Sequence, residues 1–309
     1  MKTTFEEVVC PMCNSDQYEI LCKKGQYDIP MNASICKVCG FVYLNPRWTK
    51  ESYNDFYNNS YDQYFQRVKA EDEKKDLKIA QRIYDNYKID KDTRLKVLDI
   101  GAGFGNNSLK FKEFFKNSTI SAIESGKESI SYLKSKNINV ISNDVDSNWE
   151  TKGDKFDVII INYTFEHLLN PNETLSKIHK KLADGGVMYI GTINMDYIDL
   201  PITKRFFRFA HTLYFTENNL RFMLEKNGFE IMYLNENDDM NNGIIYAVCK
   251  KAKEDTEVKE LKSEYEISKN KIQNLLKKET GIFFYIKWKV RYFLSKLKRK
   301  LNQTGGKNE

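Results

Sequence analysis

The stretch VLDIGAGFG, residues 97–105, decides the fold of this 309-residue chain. Its first part is apolar and predicts a buried β-strand, and its second part holds three glycines at alternate positions. Glycine lets the backbone turn sharply and pass close to a ligand. The sequence therefore predicts a strand that ends in a ligand-binding turn.

Strand-like and helix-like segments alternate after this turn. The predicted strands are 119–124, 138–142, 156–162, 186–193, 229–234 and 243–249, and the predicted helices are 106–116, 127–136, 172–183 and 216–227. Thr216 is suited to begin the last helix as its N-cap, and Gly228 is suited to end it. Alternation of this kind predicts an α/β fold, with a parallel sheet covered by helices on both faces.

The glycine turn departs from the pattern of a dinucleotide site. That pattern needs a glycine at the position of Asn106. Asp99 also stands just before the turn, where a carboxylate suits a cationic ligand better than a pyrophosphate. The turn therefore disfavours a nicotinamide oxidoreductase.

Polar side chains follow the next two predicted strands. Glu124 lies 19 residues after Gly105 and can accept hydrogen bonds from both hydroxyls of a ribose. Asn143 and Asp144 follow the third strand, where an adenine amino group could be bound. The alternatives are a surface glutamate at a strand end and a simple turn.

Taken together, these motifs resemble those of class I S-adenosylmethionine-dependent methyltransferases. The resemblance rests on VLDIGAGFGNNS, IESG, ND and FDVIIINYTFEHLLNP, and it covers residues 94–250. The downstream segment HTLYFTENNLRFMLEKNGFEI is similar to the sugar and small-molecule branch of that family. The resemblance implies a Rossmann-like seven-stranded methyltransferase sheet of order 3-2-1-4-5-7-6, with strand seven antiparallel.

The resemblance also implies which residues bind S-adenosyl-L-methionine. The residues expected along the methionine part are Asp99, Gly101, Ala102, Gly103 and Gly105. Glu124 would hold the ribose, and Asn143 with Asp144 would hold the adenine. Asn162 and Tyr163 would leave the fourth strand beside the sulfonium.

Methyl transfer is an in-line displacement on an activated carbon, so holding the acceptor in line does most of the work. An acceptor hydroxyl, amine or acidic carbon also needs a base. His167, directly after Glu166, follows the fourth strand and titrates near neutral pH in water. His211 could lie on a lid over the acceptor. The alternative for His167 is that it only packs the loop.

Four cysteines near the start of the chain form two C-x-x-C pairs. They are Cys10, Cys13, Cys36 and Cys39, with 22 residues between the pairs. Four thiolates close a tetrahedral site without an open position, which predicts a structural Zn²⁺ in a ribbon over residues 1–48. A redox dithiol is the alternative. The ribbon and the following GFVYLNPR, residues 40–47, resemble the front end of methyltransferases from bacterial surface-glycan pathways.

Composition excludes several classes of protein. Hydrophobic residues are 41% and charged residues 30%, which excludes disorder along the whole chain. The first ten residues hold two glutamates and no apolar core, which argues against a secretory signal and favours a cytoplasmic setting. The ribbon has five basic and five acidic residues, so nucleic acid is an unlikely partner.

The rest of the chain divides into a connecting helical segment, 49–93, and two C-terminal segments. Residues 251–280 are charged and predict a helix that could form a weak coiled coil or stand alone. The residues at heptad a and d spacing are Val258, Leu261, Tyr265, Ser268, Ile272 and Leu275. Residues 281–309 carry eight Lys or Arg and one acid, and 281–301 have an apolar stripe with aromatic residues. That stripe predicts a helix lying on an anionic membrane surface, at the inner face, or docked on protein.

The sequence thus predicts a zinc-ribbon methyltransferase acting on a sugar or related small acceptor, for a surface polysaccharide or glycoconjugate. Two other classes stay open. One is a zinc-module RNA methyltransferase, against which the neutral ribbon speaks. The other is a binding or scaffold protein that kept the fold, against which the intact cofactor motif speaks. The acceptor, the atom methylated and the oligomeric state are not specified by the sequence.

Overall fold

A computed structural model describes residues 3–60, 78–151, 153–198, 201–235, 243–253, 256–258 and 260–280, together with Ile286 and Val290. The strands are β1 (Phe5–Glu6), β2 (Tyr18–Lys24), β3 (Pro30–Cys36), β4 (Val42–Leu44), β5 (Arg47–Trp48), β6 (Lys96–Ile100), β7 (Thr119–Ile123), β8 (Asn139–Ser142), β9 (Phe156–Asn162), β10 (Leu182–Ile193), β11 (Leu213–Tyr214), β12 (Phe229–Leu234) and β13 (Ile244–Lys251). The helices are α1 (Lys50–Asn59), α2 (Lys78–Tyr87), α3 (Asn106–Phe114), α4 (Lys127–Ser135), α5 (Pro171–Lys181), α6 (Glu217–Lys226) and α7 (Tyr265–Glu279). Short helical turns of 3-10 or π type lie at Gln26–Asp28, Trp149–Thr151, Phe165–His167 and Ile202–Phe206.

A seven-stranded sheet forms the centre of the chain, in the order β12-β13-β10-β9-β6-β7-β8. The neighbours from β8 to β10 are parallel, and β13 is antiparallel to both β10 and β12. This is the predicted order, 3-2-1-4-5-7-6, with the seventh strand antiparallel. The central strand β9 reads FDVIIIN and is buried at most positions, as expected of a parallel strand covered on both faces.

The helices of the α/β unit begin and end close to the predicted residues. Thr216 caps α6 as expected, because its side-chain oxygen accepts from the backbone N–H of Asn219 at 3.2 Å. The predicted fifth strand begins earlier than expected. Pairing between Leu182 and Phe156 extends β10 before an irregular step in the register.

A strand from the α/β part of the chain, β11, pairs with the ribbon. The sequence did not predict this strand. Strands β2, β3 and β4 form an antiparallel sheet, and β11 completes it in the order β11-β4-β3-β2. Leu213 and Tyr214 of β11 lie well outside residues 1–48. The apolar core is also continuous, since the ring of Phe41 in the ribbon packs at a tilt against that of Phe215, with 5.2 Å between the ring centroids. The ribbon therefore packs as one body with the sheet.

The C-terminal charged segment corrects a prediction. The helix α7 begins at Tyr265 rather than near residue 251. Two of the residues expected at a coiled-coil interface, Ser268 and Ile272, are buried against the same chain. The Tyr265 hydroxyl donates to Glu19 of the ribbon at 2.7 Å. In the described part of α7, the face that holds Ser268 and Ile272 therefore packs against the same chain.

The predicted amphipathic tail, 281–301, lies outside the described residues apart from Ile286 and Val290. Within the described ranges, none of the helices combines the length and the apolar character that crossing a membrane requires.

Candidate functional site

A cavity of about 1160 Å³ opens at the carboxyl ends of β6, β7, β8 and β9. The cavity is lined by the loops after these strands and by helices α1 and α2. The predicted site residues that line it are Gly101, Ala102, Gly103, Glu124, Asn143, Asp144, Asn162, Tyr163 and His167. Ligands of open parallel sheets bind at this edge, so the cavity is the candidate active site.

The glycine turn brings its backbone to the cavity without side chains. Gly101 and Gly103 have φ values of 73° and 55°, in the left-handed region that favours glycine. A Cβ at Gly101 would lie 2.1 Å from the Thr164 hydroxyl, whereas a Cβ at Gly103 would meet nothing within 4 Å. Gly101 is therefore required by packing, and Gly103 leaves open space beside a ligand.

Glu124 holds two loops together at the cavity. One carboxylate oxygen accepts from the Gly103 N–H at 2.8 Å, and the other accepts from the Gly126 N–H at 2.7 Å. Each oxygen keeps a further lone pair for a donor from the cavity. Glu124, the predicted ribose-binding residue, is thus held in position by hydrogen bonds from the backbone of the glycine turn and of the loop after β7.

Asp99 lies beneath the turn rather than on the cavity wall. It is fully buried, and one oxygen accepts from the Ser108 hydroxyl at 2.6 Å. Burial raises the pKa of Asp99 to about 6. The other oxygen, and the buried side-chain oxygen of Asn106 on the cavity wall, have no hydrogen-bond partner in the described part of the chain. Gly105 does not line the cavity either.

Acidic residues gather at the end of the cavity near β8. Asp144 and Asp146 both approach Lys50 of α1, whose ammonium lies 3.4 Å from the first and 2.8 Å from the second carboxylate. The ion pairs connect the predicted adenine-binding loop to the residue that begins α1. Asn143 lines the same end.

His167 is the one predicted acid–base residue on the cavity wall. Its Nδ1 lies 2.8 Å from the Ala210 carbonyl oxygen and 3.3 Å from the Tyr57 hydroxyl. Donation from Nδ1–H to that carbonyl leaves Nε2 with a free lone pair. Burial lowers the pKa of His167 to about 4, although the ring keeps some exposure to the cavity. The imidazole is therefore neutral at neutral pH.

Glu166 and His211 pack behind His167 and do not line the cavity. A carboxylate oxygen of Glu166 accepts from the Thr192 hydroxyl at 3.1 Å, and burial raises the pKa of Glu166 to about 7. The ring of His211 meets that of His167 edge to face at 4.7 Å, and burial lowers the pKa of His211 well below its usual range. His211 was expected on a lid over the acceptor. It is instead 5% exposed and supports the His167 ring.

Several cavity residues were missed by the sequence reasoning, and most of them come from the segment interpreted as a connector. They are Lys50, Tyr53, Asn54, Tyr57, Lys78, Arg82, Asn106 and Lys110. The signal that could have found them is the density of aromatic and amide residues directly before the cofactor strand. An aromatic-rich amphipathic helix at that position can cover the sheet edge.

The four ribbon cysteines converge on one point. The Cys10 and Cys39 sulfurs lie 3.6 Å apart, and those of Cys13 and Cys36 lie 3.5 Å apart. Zn–S bonds of about 2.3 Å in a tetrahedron place sulfurs roughly 3.8 Å apart, so the cluster has the dimensions of a tetrathiolate site. Lys226 of α6 donates to the carbonyls of Pro11 and Met12, which fixes the first cysteine turn to the α/β unit.

A family profile described as a methyltransferase domain matches residues 54–234, more than half of the chain. No curated protein matches the chain. The solved plantazolicin methyltransferase BpumL in complex with SAH is 16% identical, with a TM-score of 0.49 over 65% of this chain and 94% of that one. A TehB-like SAM-dependent methyltransferase from Corynebacterium glutamicum is 18% identical, with a TM-score of 0.42 over 65% and 97%. Coclaurine N-methyltransferase, bound to N-methylheliamine and SAH, is 15% identical, with a TM-score of 0.44 over 56% and 70%.

The profile match spans the glycine turn, Glu124, the loop after β9 and His167, which are the residues gathered at the cavity. The strand order and the cavity at the sheet edge agree with it. The chain belongs to the methyltransferase-domain family and is an S-adenosylmethionine-dependent methyltransferase.

Proposed function

We propose that the enzyme methylates a sugar or a related small acceptor used for a surface polysaccharide or glycoconjugate. The proposal rests on one observation: the same cavity is lined by a wall suited to the cofactor and by a wall suited to the acceptor. One wall is the glycine turn with Glu124, and the other holds His167 and Tyr57. The sugar class rests on the resemblance of the segment HTLYFTENNLRFMLEKNGFEI, described above.

The residues present fit the cofactor on three observations. Gly103 leaves open space on the turn. The side-chain oxygen of Asn106 is buried without a hydrogen-bond partner in the described ranges, and the ammonium of the methionine part could donate to it. Glu124 keeps free lone pairs for the ribose hydroxyls. Asn143 and Asp144 would bind the adenine, and Asn162 and Tyr163 would lie near the sulfonium. The bound cofactor supplies an activated methyl group.

Asp99 would act from below the turn rather than by direct contact. Its buried carboxylate directly precedes the glycine turn and disfavours an anionic ligand there, and one of its oxygens has no hydrogen-bond partner in the described ranges. Gly105 and Ala102 would shape the same turn.

His167 would take the proton of the acceptor. Its Nδ1–H is held by the Ala210 carbonyl, so the lone pair of Nε2 is available. Glu166 and His211 would position the ring, since both pack against it without reaching the cavity. Burial lowers the pKa of His167 to about 4, and this weak base suffices for a sugar hydroxyl because the hydroxyl proton becomes strongly acidic as the oxygen takes the methyl group.

The four cysteines would bind one structural Zn²⁺. Cys10, Cys13, Cys36 and Cys39 supply four thiolates and no open position, so the ion would stabilise the ribbon and take no part in the chemistry. Since α1 follows the ribbon directly, this ion would also stabilise the acceptor wall.

The tail, 281–301, would bring the enzyme to an anionic membrane surface, where it could meet an acceptor linked to a lipid. Sedimentation of the full chain with phosphatidylglycerol vesicles, but not with phosphatidylcholine vesicles, would support this. Failure of the chain to sediment with either kind of vesicle would favour a protein partner for the tail.

Transfer of tritiated methyl groups from S-adenosylmethionine tests the proposed acceptor class. We would offer the enzyme a panel of nucleoside diphosphate sugars and methyl glycosides, with total RNA alongside. Label in a sugar is expected. Label in RNA would favour the RNA methyltransferase, and binding of the cofactor without label anywhere would favour a scaffold.

A further inference from the structure

Tyr163 has an unusual backbone for its residue type. It follows β9 with a φ of 52°, in the left-handed region that a bulky side chain adopts only at a cost in energy. Its N–H donates to the Gly191 carbonyl at 2.8 Å, so the conformation is held by the sheet edge. Backbone outliers that the surrounding structure maintains cluster at functional sites.

The neighbours of Tyr163 explain how this conformation is imposed. Asn162 packs on Gly191 so closely that a Cβ there would lie 2.3 Å from the amide oxygen. Thr164 packs in the same way on Gly101, at 2.1 Å. Packing therefore fixes the side chains on either side of Tyr163, and the Tyr163 side chain lines the cavity between them.

The ring is accessible in a cavity that also holds groups able to bind hydroxyls. Tyr163 is 47% exposed while lining the cavity. The same cavity is lined by Asn54, by Asn162 and by Arg82, whose guanidinium donates to the Tyr189 hydroxyl at 3.0 Å. A cavity with an accessible aromatic ring, amide groups and a guanidinium suits a ligand ring that is apolar on one face and hydroxylated at its edge.

We infer that Tyr163 is the stacking platform for a pyranose ring of the acceptor. The C–H bonds on one face of a pyranose form an apolar patch with partial positive charge, which is attracted to the negative face of the phenol ring. The polar side chains would bind the hydroxyls at the edge of the sugar. This inference rests on the proposed function and names the acceptor contact of that same cavity.

The chain offers a matched control in Tyr27. This residue has a φ of 65° and is 51% exposed, yet it belongs to the ribbon and does not line the cavity. Asparagine tolerates the left-handed region, so Tyr163→Asn and Tyr27→Asn should each raise the melting temperature, by roughly 2 °C. Only the first should affect sugar binding.

Saturation-transfer NMR on the zinc-replete full chain tests the platform. Methyl glycosides of glucose, galactose, rhamnose and N-acetylglucosamine serve as probes, with S-adenosylhomocysteine bound. We expect the ring protons on one face of at least one glycoside to be saturated. Tyr163→Asn should weaken that glycoside's binding about tenfold, whereas Tyr163→Phe and Tyr27→Asn should retain it.

Three results would overturn the inference. They are the absence of saturation for every glycoside although S-adenosylhomocysteine binds, undiminished saturation in Tyr163→Asn, and an equal loss in Tyr27→Asn. Failure of S-adenosylhomocysteine to bind, measured by titration on the same sample, would instead overturn the proposed function, and the platform with it.

Discussion

The two walls of the cavity are built in different ways. The cofactor wall comes from 99–144, where each loop follows its strand and the key contacts, such as Glu124 to Gly103, lie within about one α/β unit. The acceptor wall joins Tyr57 of α1 with His167, and residues 207–212 pack behind both; these three segments are distant in sequence. The difference teaches that the contacts that shape the cofactor wall lie within the sheet and its loops, whereas those that shape the acceptor wall include the ribbon.

Contacts of the ribbon with the acceptor wall support this dependence. The ring of Trp48, at the end of the ribbon, packs at a tilt against that of Phe209, with 4.7 Å between the ring centroids. Phe56 of α1 meets the Phe209 ring edge to face at 4.6 Å. The Tyr53 hydroxyl donates to the Phe209 carbonyl at 2.7 Å. These contacts place α1, and with it Tyr57, over the cavity.

The largest expected effect comes from removing the metal site with Cys36→Ser. Structural zinc sites supply about 10–16 kcal/mol of apparent folding free energy in small domains, so the ribbon should lose its order. Methyl transfer should be abolished, while the dissociation constant of S-adenosylhomocysteine should change by less than about threefold. Metal content, activity and calorimetric titration measure the three quantities.

The control for this variant is Cys22→Ser, which removes a cysteine outside the cluster and should leave all three quantities unchanged. A fall in cofactor affinity that follows zinc content would show that the two walls are not independent.

The next largest effect should come from Glu124→Ala on the cofactor wall. Two charge-assisted hydrogen bonds to ribose hydroxyls are worth about 4 kcal/mol together, so the dissociation constant of S-adenosylhomocysteine should rise about a thousandfold. Glu128→Ala, which removes an exposed carboxylate at the start of α4, is the matched control and should bind normally. Unchanged binding in Glu124→Ala would place the ribose elsewhere.

A smaller effect, confined to the acceptor wall, is expected from His167→Asn. Loss of a general base lowers kcat by about a hundredfold or more, and cofactor binding should stay the same. The matched control is His179→Asn on α5, which does not line the cavity. Equal kcat in His167→Asn and the parent enzyme would assign His167 to loop packing.

The smallest effect is a difference in the pH dependence of stability. His167 has its pKa lowered from 6.5 to about 4, so the unfolded chain binds its proton more tightly than the folded one. Stability from this residue is therefore present above pH 6.5 and is lost as the pH falls toward 4. After allowance for its exposure to the cavity, the loss should be about 2 kcal/mol.

Urea unfolding of the parent and of His167→Asn across this range measures that loss. The parent should gain stability relative to the variant as the pH rises. Parallel curves would contradict a buried neutral imidazole at this position.

The sequence allowed the cofactor wall to be predicted because its information is local. Each strand pattern, the glycine turn and Glu124 can be recognised from neighbours along the chain, and the resemblance to a family supplied the strand order. The zinc site could be predicted for the same reason, since each C-x-x-C pair is recognised from neighbouring residues along the chain.

The acceptor wall could not be predicted because it depends on contacts between distant segments. Nothing along the chain indicates that Tyr57 meets His167, 110 residues away, or that His211 packs behind it. The strand β11 was missed because two residues are too short for a pattern. The heptad-like spacing around Ile272 was misleading, since the same apolar face that suits a partner helix also suits the ribbon.

Calorimetric titration of the zinc-replete protein with S-adenosylmethionine, and separately with NAD, tests the central claim most directly. We predict binding of one S-adenosylmethionine per chain, no binding of NAD, and loss of the signal in Glu124→Ala. Absence of S-adenosylmethionine binding, or equal binding of NAD, would contradict the assignment of the glycine turn and Glu124 as a methyltransferase cofactor site.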